Sequence, residues 1–430
     1  MNCPKNLYQL TINYFSDREA ILHLNNVDIS RNVTKGCPQG SCCGPAYWNI
    51  QYNSLLNIDY HKNSKVIAFA DDLLLLTKGK NTVEAEAITN SDIYKIDKWS
   101  ELNKIQFNQE KSKVMLISKK RAKNTNIQIY LRGQILEQVQ LLKYLGIHID
   151  NKFNFNKHIQ IISDKCIKLI NSLSKSAKIS WGLQHSALRT IYQGAIIPIM
   201  TYGSPMWCSA IRKEKNRRKI IRVHRMMNIK IIKAFRTISY EASCILSGLI
   251  PLDLKIRAEA NSYYKLSSEG LLGLKDAQNK RRQRDIKEQV LKSLEEEWET
   301  QWANSKNGAI TKTFFPTVSS RLKVNLPSSP NITAILSGHG KLRSYYFRFK
   351  INDSATCDCG AEDQSVDHIV YECPIYEIER SFLISAVSDA GGVWPTTKDV
   401  ILQNNFNAFI QFVKSINLEL NQPQQAVHSV

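Results

Sequence analysis

In KVIAFADDLLLLT, residues 65–77, two adjacent aspartates, Asp71 and Asp72, interrupt an otherwise apolar run. That pair limits what the segment can become. Like charges about 4 Å apart repel by roughly 4 kcal/mol at an effective dielectric near 20, and withdrawal from water adds a further cost. By periodicity alone the leucines fit a buried helix or a buried strand. A helix would embed both carboxylates in apolar surroundings. Two short strands, 66–70 and 73–77, joined as a hairpin place them at an exposed tip instead. Rigid strands then aim carboxylate oxygens at one point, and oxygen donors suit Mg²⁺, which takes one or two carboxylates plus substrate phosphates. Two such ions can activate an attacking hydroxyl and stabilise a leaving oxygen in phosphoryl transfer. A plain polar turn is the alternative, since Asp is a common turn residue.

The charge of the whole chain narrows the choice of partner. Its 430 residues carry a formal net charge of +20, which points to a polyanion, either nucleic acid or an anionic membrane surface. No stretch approaches 18 consecutive apolar residues and no signal-peptide pattern opens the sequence, so the membrane is the weaker choice. The stretch 209–237, SAIRKEKNRRKIIRVHRMMNIKIIKAFRT, holds eleven Lys/Arg and one Glu and so supplies +10, half the formal excess. Arg217, Arg218, Lys219, Arg222 and Arg225 in it are candidates for phosphate-backbone contact. A solvated helix face is the competing reading, though one sign of charge dominates here. Ten cysteines with no secretory signal are expected to be reduced, in a nuclear or cytosolic setting rather than a secreted one.

Organisation shifts along the chain. Residues up to about 150 mix β-rich runs with one long helix, which Thr82 would cap and which carries Glu84 and Glu86 in its first turn. From about 151 to 312 the pattern is mainly helical. Ile220, Val223, Met227 and Ile231 share one helical face there, and Trp298 and Trp302 stand at i and i+4. Residues 313–334 read as a linker, 335–380 as a Cys/His module, and 381–430 as a C-terminal helix and polar tail.

The segments GCPQGSCCGP, FADD, FNQEKSKVM and YLGIHID follow one another in an order that resembles the successive motifs of reverse transcriptases, most closely those of non-LTR (LINE-type, jockey-like or type-1) retrotransposons. The resemblance runs from NLYQLTINYFSDR through IIPIMTYGSPMWC and LSGHGKLRSYYFRF, and so covers most of the chain. It implies a partial right-hand polymerase palm over 1–150 with Asp71 and Asp72 as metal-binding carboxylates. Phe69 would open the signature hairpin. Gln39 and Gly40 would lie near template and nucleotide, where glycine permits close backbone approach. Lys111 would sit near the departing pyrophosphate as proton donor or charge stabiliser, an exposed strand-end lysine being the plainer reading. YLGIHID would form the primer-grip hairpin and the basic helical region the thumb. RNA template, DNA primer or target, and dNTPs are the implied partners.

Two departures stand out. Cys42 and Cys43 replace the usual aliphatic residues, in a segment expected to be buried. The family also needs a third metal-binding aspartate in an AFD-like segment upstream, and Asp17 and Asp28 lie in the wrong context for it. The chain therefore reads as the C-terminal part of a longer polyprotein or a degraded copy, lacking fingers and inactive by itself.

CDCGAEDQSVDHIVYEC places Cys357, Cys359, His368 and Cys373 in the spacing C-x-C-x8-H-x4-C. Three thiolates and an imidazole make a tetrahedral zinc set, with Gly360 available for a tight turn; chance clustering of buried cysteines is the alternative. The spacing also resembles the C-terminal Cys/His motif of the same polymerases. His339, just upstream, reads as structural. Near it, GHGKLRSYYFRFK interleaves basic and aromatic residues, which suits unpaired bases or an ordinary amphipathic helix. The expected fold is α+β, an incomplete antiparallel palm sheet followed by a mostly helical half and a small zinc module. The competing function is a non-catalytic RNA- or DNA-binding protein derived from such a polymerase; carboxylate clusters of a nuclease are not visible.

Overall fold

The structure, a computed structural model, describes residues 3–25, 27–38, 40–118, 126–174 and 185–418. The chain is α+β and divides into two compact units, Met1–Leu142 and Lys143–Val430.

In the first unit a helix, Lys5–Phe15, precedes an antiparallel hairpin of Glu19–Leu24 with Val27–Asn32, and a second helix spans Gly44–Leu56. The acidic run forms a hairpin of Ser64–Phe69 with Asp72–Thr77, in the register Phe69 opposite Asp72 and Ala68 opposite Leu73. Alternation sends Ala68, Leu73 and Leu75 inward against Tyr52, Leu55, Ile96 and Trp99, which belong to the helices Gly44–Leu56 and Thr82–Leu102. A second small core joins Ile93 to Ile127, Ile129, Leu131 and Leu136. Thr82 is not the cap: Asn81 is, its side-chain oxygen accepting from the Glu84 amide at 2.8 Å. Asn81 has the extended backbone a cap requires, whereas Thr82 is already helical.

Among the described residues the expected incomplete antiparallel palm sheet is present only as separate strand pairs. The sheets are two-stranded, and one pairs Lys113–Val114 in parallel with Glu137–Gln138. Hairpins close locally through short turns, but segments more than twenty residues apart can meet in either direction. Both strands of the Glu19–Leu24 hairpin are exposed along their whole length, with Ile21, Leu22, Leu24, Val27 and Ile29 in solvent.

The second unit is helical around one large core, with a small separate cluster of Leu266, Leu271 and Ile286. Asn156–Ser174 packs on the basic helix Glu214–Ile232, whose Ile220, Val223, Met227 and Ile231 are buried on the face that the spacing predicts. Gly248, with a positive φ of 63°, ends the helix Tyr240–Ser247 before Leu252–Ser268 begins. Trp298 and Trp302 of the long helix Ala277–Asn304 enter the same core. YLGIHID turns through Leu145 and Gly146, both with positive φ, as a two-residue hairpin loop demands. Residues 313–334 are no linker. Phe314, Phe315, Val318 and Ile332 are buried there, and Arg321 is buried donating to the carbonyls of Leu246 and Val324. The Pro and Ser content that suggested a linker instead punctuates short helices such as Val318–Leu322 and Pro330–Ser337. The single C-terminal helix expected after 381 is three, Glu377–Asp389, Lys398–Asn404 and Phe406–Ser415, and the expected polar tail, 421–430, lies outside the described residues. Among the described residues no helix is long and apolar enough to cross a membrane.

Candidate active site and Cys/His metal centre

Ala70 and Asp71 form the two-residue loop between the paired Phe69 and Asp72. Both aspartates and Phe69 are exposed. Water at the tip lowers the repulsion between the carboxylates toward the aqueous value of about 1 kcal/mol at 4 Å, so the sharpest part of the cost seen in the sequence is avoided. Strain replaces it. Ala70 has φ +51°, a left-handed conformation costing an L-residue with a Cβ roughly 1–2 kcal/mol. Trp48, one helix away, donates its indole N–H to the Ala70 carbonyl at 2.7 Å. Beneath it, burial raises the Tyr52 phenol above its ordinary range, and the charges of Asp71 and Asp72 push the same way. The aspartate field therefore reaches the core of the unit. Among the described residues no third Asp, Glu, His or Cys ligand atom joins the pair within 4.8 Å.

The loop before Gly44–Leu56 sits against the first helix. Tyr14 and Ser41 share a hydroxyl hydrogen bond of 2.7 Å, and Tyr47 lies against Tyr14 and Phe15. Gly40 has φ +85° and open space where a Cβ would stand, so its glycine is required by conformation and leaves room for an approaching group. Gln39 lies outside the described residues. Cys42 and Cys43, expected to be buried, are exposed: the bend before the helix turns them to solvent, and aliphatic residues are not needed there for packing. Lys111 is exposed in the turn before Lys113–Val114, its amide donating to Asn108 Oδ1 at 3.0 Å, and it makes no ion pair with either aspartate.

The Cys/His residues converge. Cys357, Cys359, His368 and Cys373 hold their ligand atoms within 4.8 Å of one another. Bond lengths near 2.3 Å to sulfur in a tetrahedron require sulfurs about 3.8 Å apart, and Cys357 Sγ lies 3.7 Å from Cys373 Sγ. His368 presents Nε2 to Cys359 Sγ at 3.2 Å, while its buried Nδ1 faces the Glu372 and Glu362 carboxylates at 3.8 and 3.9 Å. The last two separations are longer than a hydrogen bond, so Nδ1 is buried without a hydrogen-bond partner, with two carboxylates near enough to back the ring of a metal-bound imidazole. Backbone geometry explains the spacing. Gly360, φ +78°, turns the chain so that its amide reaches the Cys357 carbonyl at 2.9 Å. His368–Glu372 is a single π turn, whose Cys373-to-His368 hydrogen bond of 2.7 Å brings both ligands to one side. Arg380 donates to the carbonyls of Ile369, Val370 and Cys373, fixing that turn. Burial pushes the Cys357 thiol up to about 12, while the Ala361 amide pulls Cys359 down to about 7. A coordinated cation would deprotonate both, and the donor set fits zinc. His339 is not part of this set: its Nδ1 meets Thr237 Oγ1 at 3.0 Å, and burial lowers it to about 4.

The five basic candidates of the Glu214–Ile232 helix differ in what they face. Arg217 is held by Asp253 at 2.9 Å, and Arg225 donates to the Arg236 and Ile238 carbonyls, so both serve the fold. Arg218 pairs with Glu214 at 2.9 Å. Arg222 is exposed, and Lys219 is half-buried with its pKa lowered by burial and then by Lys215, Asp164 of the neighbouring helix opposing the shift and Lys157 adding to it. Lys157, Lys215 and Lys219 thus stand near one another across two helices, with Asp164 among them.

The reverse transcriptase (RNA-dependent DNA polymerase) family matches residues 1–149. Over 342 residues the chain is 29% identical to a retrovirus-related Pol polyprotein from type-1 retrotransposable element R1 4 of Nasonia vitripennis, covering 74% of this chain and 86% of that one. Residues 1–149 thus carry a reverse transcriptase domain, and most of the chain is similar to Pol polyproteins of non-LTR retrotransposons. A second relative, the R1 Pol polyprotein of Bradysia coprophila, is 26% identical over 86% of this chain but only 38% of its own length. The polymerase of the Drosophila melanogaster mobile element jockey is 22% identical over 53% of this chain and 25% of its own. No solved structure matches. The similarity to the R1 polyproteins extends well past the family match, into the helical unit. Reading the sequence missed Trp48, Tyr52 and Ala70 around the carboxylate turn. Their one signal was the i, i+4 aromatic pair after the Gly40 loop, which reads equally as core.

Proposed function

We propose that the first unit contributes the palm carboxylates of an RNA-directed DNA polymerase, and the second its thumb and a zinc module. In the complete enzyme, deoxynucleotides would be added to a primer 3′-hydroxyl along an RNA template. The observation that carries this reading is the exposed Asp71 and Asp72 pair on a two-residue turn inside the matched region. Its exposed carboxylate oxygens suit Mg²⁺ carrying a nucleotide triphosphate. Divalent cations held there supply activation of the 3′-hydroxyl and stabilisation of the leaving pyrophosphate. Asp71 and Asp72 would hold those ions, Gly40 would leave room for the template or nucleotide, Phe69 would flank the site, and Lys111 would serve as proton donor or charge stabiliser for the pyrophosphate. Cys357, Cys359, His368 and Cys373 hold zinc as a structural clamp.

The pair lacks a third carboxylate among the described residues, which supports the reading that this chain alone does not polymerise. Primer extension on poly(rA)/oligo(dT) with Mg²⁺ is the test, with no extension expected. Extension that disappears in Asp71→Asn would overturn it. A second reading, nucleic-acid binding without chemistry, is favoured by the neighbouring Lys157, Lys215 and Lys219 and the exposed Arg222. Salt-dependent RNA binding that survives Asp71→Asn and Asp72→Asn supports it; salt-independent binding counts against it.

A further inference from the structure

Trp48 lies on the helix Gly44–Leu56, between the Gly40 loop and the carboxylate turn. Its Nε1 donates to the Ala70 carbonyl at 2.7 Å. That carbonyl belongs to the planar peptide unit whose nitrogen is that of Asp71, so fixing the oxygen fixes the plane from which Asp71 departs. Ala70 is also the left-handed residue of the turn, φ +51°, a conformation that an alanine keeps only where its surroundings compensate. The indole is itself anchored. Its ring packs 4.5 Å from Tyr52, Tyr52 meets Trp99 edge-on at 5.8 Å, and Trp99 Nε1 donates to Ser54 Oγ at 2.9 Å. A ladder of three aromatic rings therefore runs from the core of the unit to the tip of the hairpin.

We propose that Trp48 is a positioning residue for Asp71: through its hydrogen bond to the Ala70 carbonyl it holds the turn in the left-handed form that points the Asp71 carboxylate outward beside Asp72. This rests on the reading of that pair as metal-binding, and the two can fail separately. The side chain touches neither metal nor nucleotide and acts only through the peptide.

The test uses the full chain, with Trp48→Phe, Ala70→Gly, their combination and Asp71→Asn. Two quantities are read: amide hydrogen exchange at residues 70–72, and Mn²⁺ affinity from the free-ion electron paramagnetic resonance signal. Loss of one neutral hydrogen bond gives Trp48→Phe about threefold to tenfold faster exchange and correspondingly weaker Mn²⁺ binding. Exchange in the helix Thr82–Leu102 stays as in the parent, because phenylalanine keeps the ring contact with Tyr52. In the Ala70→Gly background the same substitution changes both readouts by less than about twofold, because glycine takes the left-handed form without a steric cost. Unchanged exchange in Trp48→Phe, or an equal effect in both backgrounds, would overturn the proposal. Should Phe loosen the helix itself, benzothienylalanine at position 48, which keeps the indole shape without the N–H, gives the same decision. Mn²⁺ affinity retained in Asp71→Asn would overturn the metal reading instead, while the exchange result still decides the role of Trp48.

Discussion

His224 and His158 are buried histidines that the chemistry of the site does not use. Tyr192 stacks on His224 at 5.5 Å, and the ring accepts the Leu252 amide at 3.2 Å and meets the Tyr240 hydroxyl at 3.0 Å. His158 accepts the His148 amide at 3.3 Å. Burial lowers them to about 3 and about 4 respectively, His148 adding to the shift of His158. Both therefore stay neutral in the folded chain, whereas the unfolded chain takes up their protons near pH 6.5. The unfolded state binds more protons in that window, so stability is complete above about pH 6.5 and falls as the pH drops toward 4 and 3. Each group contributes up to about 1.4 kcal/mol per pH unit there. Urea midpoints between pH 7 and 4 are expected to decline, and His224→Gln to flatten the decline while lowering stability at pH 7. An acid limb of unchanged slope in that variant would remove His224 from the account.

Among the elements, the join between the carboxylate hairpin and the helix Thr82–Leu102 is packed backbone against backbone. A Cβ on Gly79 would stand 2.5 Å from the Ala85 nitrogen and 2.8 Å from its Cα, both backbone atoms with nowhere to go. The helix can begin directly after the strand only because that side chain is missing. Asn81 then caps it, and Glu84 Oε2 accepts the Lys80 amide at 2.6 Å. Asn81→Ala is expected to cost about 1 kcal/mol and Gly79→Ala more, about 1–3 kcal/mol as in overpacked sites. Both are measured as shifts in the urea midpoint of the first unit. The reverse ranking would mean that the helix start yields to the added methyl.

The two units of the chain are packed around hydrophobic clusters of very different size. Met1–Leu142 is held by small clusters around Ile93 and around Tyr52 and Trp99, and it leaves its first hairpin uncovered. Lys143–Val430 has one large core, which includes Cys357, Cys373 and the π turn between His368 and Glu372. A metal bound only by the folded Cys/His set stabilises that unit by mass action. Chelation with phenanthroline is expected to lower the melting transition of the second unit and leave that of the first in place. Cys373→Ser should do the same and abolish stoichiometric zinc. Purified chain without zinc, or a melt indifferent to chelator, would refute the structural role of the metal.

Local rules account for much of what was legible in advance. Repulsion between Asp71 and Asp72 required an exposed tip, and the tip is there. A 3.6-residue period marked the buried face of Glu214–Ile232, and ligand chemistry with short spacing picked out Cys357, Cys359, His368 and Cys373. These features depend on residues close in sequence. What the tertiary structure decided depends on partners far apart in the chain. It turned Arg217 to Asp253 and Arg225 to backbone carbonyls, leaving Arg222 to solvent. It packed 313–334 into the core and set Trp48 against Ala70. Charge and periodicity describe what a residue can do, but its neighbours in space, chosen by packing of the whole unit, determine which of those capacities remains free.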